Sequence, residues 1–396
     1  MINWDIISAV IFYLIIFGLF LKFRNKFEVQ GKIFVMYKTK LGLKLMDYFA
    51  KKFPRTLRIL SYFSVGLGFV GMISVLLILV KGAINLIKIP DSQPMLAPLL
   101  PGIQIPGLPT LSFWHWVIGI LIVAVIHESF HGIFARLYNI KIKSSGFAFL
   151  GPILAAFVEP DEKELNKATK FQQLSVLSAG AFSNIISGII IILIGSLVLT
   201  PVTSSMFETS GVQIISISED LPINSTEVKI GETIRSINGI KIENVKGFIE
   251  TMDVLKPGEI INLMTDNTSS QIPLVQNPQN TSRALLGVTV THTKINLKEN
   301  IKEKYGSIIP SFILWLSELL FWLYVISLGV GFFNLLPLGP VDGGKMFYVG
   351  IQYFIKDKKK ALKVYSYMTS FCTFLIIINL LPYVIKIFKF ILSPII

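Results

Sequence analysis

The sequence predicts a polytopic α-helical membrane protein, with about six transmembrane helices, a membrane-associated β-hairpin and a small β-rich soluble domain inserted between helices. Three observations carry this. The 396 residues are 52% hydrophobic and only 15% charged, with a mean hydropathy of +0.65, outside the range of soluble globular chains. Several apolar runs are long enough to cross about 30 Å of hydrocarbon. Between two of them, from Thr203 to Tyr305, the composition turns polar and rich in Ser, Thr, Asn and Glu.

The first run, Trp4 to Leu21, is followed by Lys22, Arg24 and Lys26 rather than a small-residue cleavage site, so it reads as a span and not a signal peptide. Lys22 to Arg58 carries eleven Lys or Arg against Glu28 and Asp47. The positive-inside rule places that segment in the cytoplasm, as a solvated or headgroup-facing amphipathic stretch. Ser61 to Val80 crosses back, and Pro90, Pro94, Pro98, Pro101, Pro106 and Pro109 then make a rigid outer linker. The third span, Phe113 to Leu137, ends beside Arg136, Lys141 and Lys143. Ser144 to Val158 is apolar but broken by Gly146, Gly151 and Pro152, too short to span. It reads as a hairpin or re-entrant piece, tolerated at membrane depth only where protein or a water-filled cavity covers it.

The fourth span, Phe171 to Leu199, contains the small-residue run Ser178-Ala179-Gly180-Ala181, which allows close helix approach, and then Asn184. In the polar insert, Gly211 to Ile217 alternates as a strand and Gly231 to Gly239 reads as a strand with an Asn-Gly turn. The fifth span, Pro310 to Phe333, runs into Asn334 to Gly344, whose two prolines and three glycines cannot continue a helix. Lys356, Lys358, Lys359, Lys360 and Lys363 mark the cytoplasm again, and Tyr365 to Ile387 is the sixth span. Both termini then lie outside. The expected domains are 1–112, 113–202, 203–305 and 306–396.

A net charge of +13 raises nucleic acid as a partner, but the basic residues cluster in short loops beside apolar runs, which is topology rather than nucleic-acid binding. Cys372 is the single cysteine, so neither an intramolecular disulfide nor a Cys-based metal site can form.

The third span holds His127-Glu128-Ser129-Phe130-His131. Ionisable groups at membrane depth are costly and mark function. Residues four apart share a helix face, so His127 and His131 can hold one zinc ion with Glu128 beside it as general base. Catalytic zinc takes three protein ligands. His115 and His292 fall on the opposite side by this topology, so the third ligand is sought among carboxylates toward the cytoplasmic side, where Asp342, in the broken Gly-rich stretch at the same inferred depth, is the candidate; its other reading is a turn residue or helix cap beside Gly343 and Gly344. Asn184 has two open readings, an interhelical hydrogen bond or a contact to a substrate backbone. An ion or metal transporter that uses the same His/Glu/Asp group is the alternative to an enzyme, although no inverted repeat is evident; a catalytically inactive scaffold is a third.

The chain resembles the site-2 proteases, the intramembrane zinc metallopeptidases of the M50 type, through His127-Glu128-Ser129-Phe130-His131, the Asn184 region, and Asn334-Leu335-Leu336-Pro337 leading into Val341-Asp342-Gly343. The resemblance implies that His127, His131 and Asp342 bind one zinc, that Glu128 is the catalytic acid/base, and that Asn184 and Asn334 position the substrate. It departs from the common pattern in Val341, where leucine often stands, and in Ile185, where proline usually follows the asparagine. The insert resembles a permuted bacterial PDZ domain, which implies docking of a peptide C-terminus. The implied substrate is a single-span membrane protein in the lipid bilayer, cut at a site toward the cytoplasmic side of the cell membrane with the PDZ-like domain outside.

Overall fold

A computed structural model describes residues 4–30, 34–89, 92–103, 105, 108–150, 153–208, 211–218, 220–278, 280–292 and 296–392. Pro90 and Pro106 of the expected linker and Gly151 and Pro152 of the expected hairpin lie outside the described residues. The chain forms two compact units, one built from the N-terminal region through Ile105 with Pro109–Gly195 and Glu318–Ile396, the other from Ser196–Ser317 with a short linker piece.

Among the described residues six helices are long and apolar enough to cross a membrane. They fall in α1 (Trp4–Lys22), α3 (Pro54–Lys88), α4 (Phe113–Leu137), α5 (Lys170–Ile194, prolonged to Met206), α6 (Ile308–Asn334) and α8 (Lys358–Leu392); the short α2 (Leu43–Lys52) and α7 (Asp342–Ile351) complete the set used below. Their starts follow from local chemistry. Pro54 opens α3, where its missing N–H costs nothing. Ser112 caps α4 by accepting from the His115 N–H. Thr169 and Gln172 form a reciprocal capping box at the start of α5. Large apolar side chains such as Leu14, Ile78, Ile190 and Phe374 face outward on these helices, the surface that lipid rather than water requires.

α4 and α5 form the centre of the first unit. Phe134 and Ala135 of α4 and Ala179 and Ala181 of α5 are fully buried. The Ser178 hydroxyl is hydrogen-bonded to that of Ser64 on α3, so the small-residue run does bring helices together as its composition requires.

The hairpin is larger than the sequence indicates. β3 (Ile142–Leu150) and β4 (Ile153–Pro160) pair antiparallel, but β1 (Phe27–Gln30) and β2 (Phe34–Thr39) extend them into a four-stranded meander ordered β1-β2-β3-β4. The basic stretch between the first two spans is therefore not only a headgroup-facing segment. Its strands are short, the alternating Phe-Glu-Val-Gln and the largely apolar Phe-Val-Met-Tyr-Lys-Thr, among the lysines. Behind them, α2 buries Met46 and Ala50, and the Met46 thioether packs close to Gly132 of α4. Arg136 at the end of α4 pairs with Asp47 of α2 at 2.9 Å.

The second unit is β-rich. β5 (Val212–Ile217), β6 (Thr233–Ile237), β7 (Ile260–Thr265), β8 (Ser269–Pro273) and β9 (Val288–His292) form an antiparallel sheet ordered β8-β7-β6-β5-β9. Ile240–Lys241 folds back on β6 through Asn238 and Gly239, both at positive φ (51° and 80°), the backbone an Asn-Gly hairpin turn needs. Ile214, Ile234, Ile237, Ile261, Leu263 and Ile272 are fully buried in its core, each worth about 1.5–3 kcal/mol of transfer free energy. A helix over Val245–Val254 adds Phe248 to that core.

Candidate active site

The helical pitch places the first two site residues. His127 is fourteen residues into α4, about 21 Å along its axis, and His131 follows one turn later. Their Nε2 atoms lie 3.1 Å apart. Asp342, the first residue of α7, puts its Oδ2 at 3.1 Å from Nε2 of His127 and 3.0 Å from Nε2 of His131. The three atoms make a nearly equilateral triangle. A tetrahedral ion with bonds of about 2.0–2.1 Å holds its ligand atoms about 3.3 Å apart, so one zinc fits all three with small adjustments. Among the described residues, this is the group of three such side chains close enough to share a metal.

Two further features fix the triangle. Nδ1 of His131 lies 2.6 Å from the Val176 carbonyl of α5. A carbonyl only accepts, so this nitrogen carries the proton and Nε2 keeps its lone pair for a metal. Gly180, also on α5, faces both rings, and a Cβ there would fall on Nε2 of His127 and of His131. The missing side chain leaves the room an ion requires.

Asp342 is delivered by the broken stretch that follows α6. Its helix starts hard against Leu335 to Gly339: a Cβ at Gly343 would strike the carbonyls of Leu335 and Leu336, and one at Gly344 the carbonyl of Leu338. Neither clash can be relieved by rotating a side chain. Gly344→Ala is therefore expected to cost at least the about 1–3 kcal/mol of an overpacked core, measured as a lowered thermal unfolding midpoint in detergent, together with loss of bound zinc. Asp342 faces the two imidazoles from a largely buried position. Its place in the first turn of α7 also suits a negative group.

Glu128 lies outside the triangle. Its Oε2 accepts from the Val158 N–H of β4 at 2.9 Å, which ties the sheet to α4. Glu128, His131 and Asp342 share the wall of a polar cavity of about 920 Å³ with Lys345, Val158 and Glu159. Asn184, fully buried, sets its amide 3.0 Å from Nδ1 of His127. Asn334 turns back on its own helix, its amide donating to the Val330 carbonyl at 3.0 Å. His115 sits at the far end of α4 with Nδ1 2.8 Å from Ser112 Oγ, about 18 Å along the axis from His127. The structure thus joins His127, His131, Asp342 and Asn184 directly and sets Glu128 beside them. Gly180, the Val176 carbonyl and the Val158 N–H are the participants that the sequence does not single out: a glycine in a small-residue run reads as helix packing, and backbone groups carry no sequence signal.

Fold and site together define a polytopic membrane protein with a His–His–Asp group and a neighbouring glutamate on its helices. The chain belongs to Peptidase family M50, a family of metallopeptidases, whose pattern matches residues 115–378. It is also similar to the uncharacterized protein MJ0971 of Methanocaldococcus jannaschii, at 28% identity over 356 residues, covering 85% of this chain and 82% of the relative. Among solved structures it is similar to the PDZ domains of the SdrC-like proteins of Listeria monocytogenes and Listeria innocua, at 21% and 22% identity. These cover 20% and 21% of this chain and 87% and 96% of those domains, each with a TM-score of 0.19.

Proposed function

We propose that the chain is a zinc endopeptidase that hydrolyses peptide bonds within or near transmembrane segments of single-span membrane proteins, as in regulated intramembrane proteolysis. The observation that carries this is the triangle of His127, His131 and Asp342, with Glu128 on the polar cavity that His131 and Asp342 also line, in a chain whose His127 and His131 lie on a helix apolar enough to span a membrane. Two imidazoles and a carboxylate suit zinc, and the space at Gly180 admits it. Bound zinc supplies a Lewis acid for the scissile carbonyl and a more acidic water.

The remaining work falls to the chain's own groups. His127, His131 and Asp342 hold the ion. Glu128 takes the proton from the attacking water and returns it to the leaving amine, and its bond to Val158 N–H holds its carboxylate in place. The polar cavity supplies water to an otherwise apolar region. β4 pairs with β3 alone among the described residues, and its Val158 N–H points to Glu128 rather than into the sheet. An extended substrate segment can add to that edge beside the site. Asn334, at the end of α6, is assigned to substrate positioning. Arg136, Lys141 and Lys143, with the lysines from Lys356 to Lys363, support a site toward the cytoplasm with the insert outside. The insert is assigned a PDZ-like role in docking a peptide C-terminus.

Cleavage of a single-span substrate in liposomes tests the proposal: a chelator should stop it and added zinc restore it, and cleavage undiminished by chelation would contradict it. Deleting residues 203–305 is expected to change which substrates are cut while one zinc per chain is retained. Loss of zinc from that deletion would show that the insert is not a separable specificity element.

A further inference from the structure

We infer that Asn184 is a positioning residue for His127: its side-chain oxygen accepts the His127 Nδ1 proton and so commits Nε2 to the metal. The inference rests on the zinc-peptidase reading above, and it assigns this residue to the ligand rather than to the substrate.

The two histidines are held alike. Each turns Nε2 to the shared point and Nδ1 to α5. For His131 the partner on α5 is a main-chain carbonyl. For His127 it is the Asn184 amide at 3.0 Å. An imidazole that gives Nε2 to a metal carries its proton on Nδ1 and must donate there. An amide NH2 cannot receive that proton, and the amide oxygen can. In the recorded orientation the NH2 faces Nδ1, and the buried Oδ1 has no hydrogen-bond partner among the described residues. The two ends of an amide have nearly the same shape and are told apart by the bonds they make. Turning the amide about its last torsion brings the oxygen onto Nδ1–H and gives the buried oxygen its donor, which is the arrangement the metal-bound ring demands.

The backbone at this position is built to hold the amide there. Ser327 Oγ of α6 donates to the Asn184 carbonyl at 2.8 Å, and Gly331 of α6 lies against the Asn184 Cβ, close enough that a side chain at 331 would crowd it. With the residue fully buried and one end of its amide on His127, the side chain is set to serve the ring. Its neighbour Ile185, where a proline usually follows in the resembling family, leaves this helical setting intact.

Metal affinity of the full-length protein in detergent, measured for zinc by competition with a chromophoric chelator, separates the roles. Wild type must first bind one zinc; if it does not, the peptidase reading fails before the role of Asn184 is reached. Asn184→Leu keeps the size and loses the acceptor, and its affinity is expected to fall about 10–100-fold, as for other partners of metal-bound histidines. Asn184→Asp keeps an acceptor oxygen and is expected to restore affinity close to wild type, whereas a structural role would not distinguish the two variants. If Asn184→Leu binds zinc as wild type does and only KM for a single-span substrate rises, Asn184 contacts substrate and the inference is wrong. Equal loss of affinity in both variants, with lowered melting of the zinc-free proteins, would also overturn it in favour of packing.

Discussion

Replacing Glu128 with glutamine is expected to lower kcat by about 10²–10⁴-fold, the usual worth of a positioned general base, or about 3–5 kcal/mol of barrier. The change is nearly isosteric. Glutamine retains an oxygen for the Val158 N–H that Glu128 accepts at 2.9 Å, so the link between α4 and β4 should survive. Glu128 is not one of the three groups that converge within 3.0–3.1 Å of one another, so bound zinc should stay at one per chain. Single-turnover cleavage of a reconstituted single-span substrate, with zinc quantified on the same sample, checks both halves. A variant that keeps its zinc and cuts at the wild-type rate removes Glu128 from the chemistry.

Gly180→Ala carries the second large effect, and it runs against helix propensity. Alanine in place of a helical glycine ordinarily stabilises by about 1 kcal/mol. Here the added methyl would occupy the point that both Nε2 atoms face. The expected outcome is zinc reduced to a trace and no cleavage in a protein that still folds, the two rings being pushed aside. Gly195→Ala is the matched control on the same span, because its Cβ would meet open space; it should keep both zinc and activity. Zinc retained by Gly180→Ala would mean that the ion sits elsewhere.

The sequence shows the parts of this protein whose signal is periodic or chemically expensive. Six apolar runs and a His/Glu/His spacing inside one of them are legible because each violates what soluble chains tolerate, and the ligand deficit of a two-histidine site leads to Asp342. The structure then brings Asp342 to both rings through a loop and helix start that only Gly343 and Gly344 allow. The four-stranded sheet was not legible, since its first two strands are four and six residues long and lie in a stretch dominated by lysine and arginine. Nor was the part of α5 in the site. The Val176 carbonyl has no side-chain signature, Gly180 reads as a packing residue, and the contact of Asn184 with His127 depends on a helix pairing fifty-seven residues apart in sequence.

Zinc K-edge X-ray absorption on the purified protein tests the central claim most directly. The account predicts one zinc per chain with two imidazole nitrogens and a carboxylate oxygen at about 2.0–2.1 Å, a signature that loses its oxygen ligand in Asp342→Ala and one imidazole in His127→Ala. A zinc environment unchanged by Asp342→Ala, or wild-type protein that holds no zinc after mild purification, would contradict it.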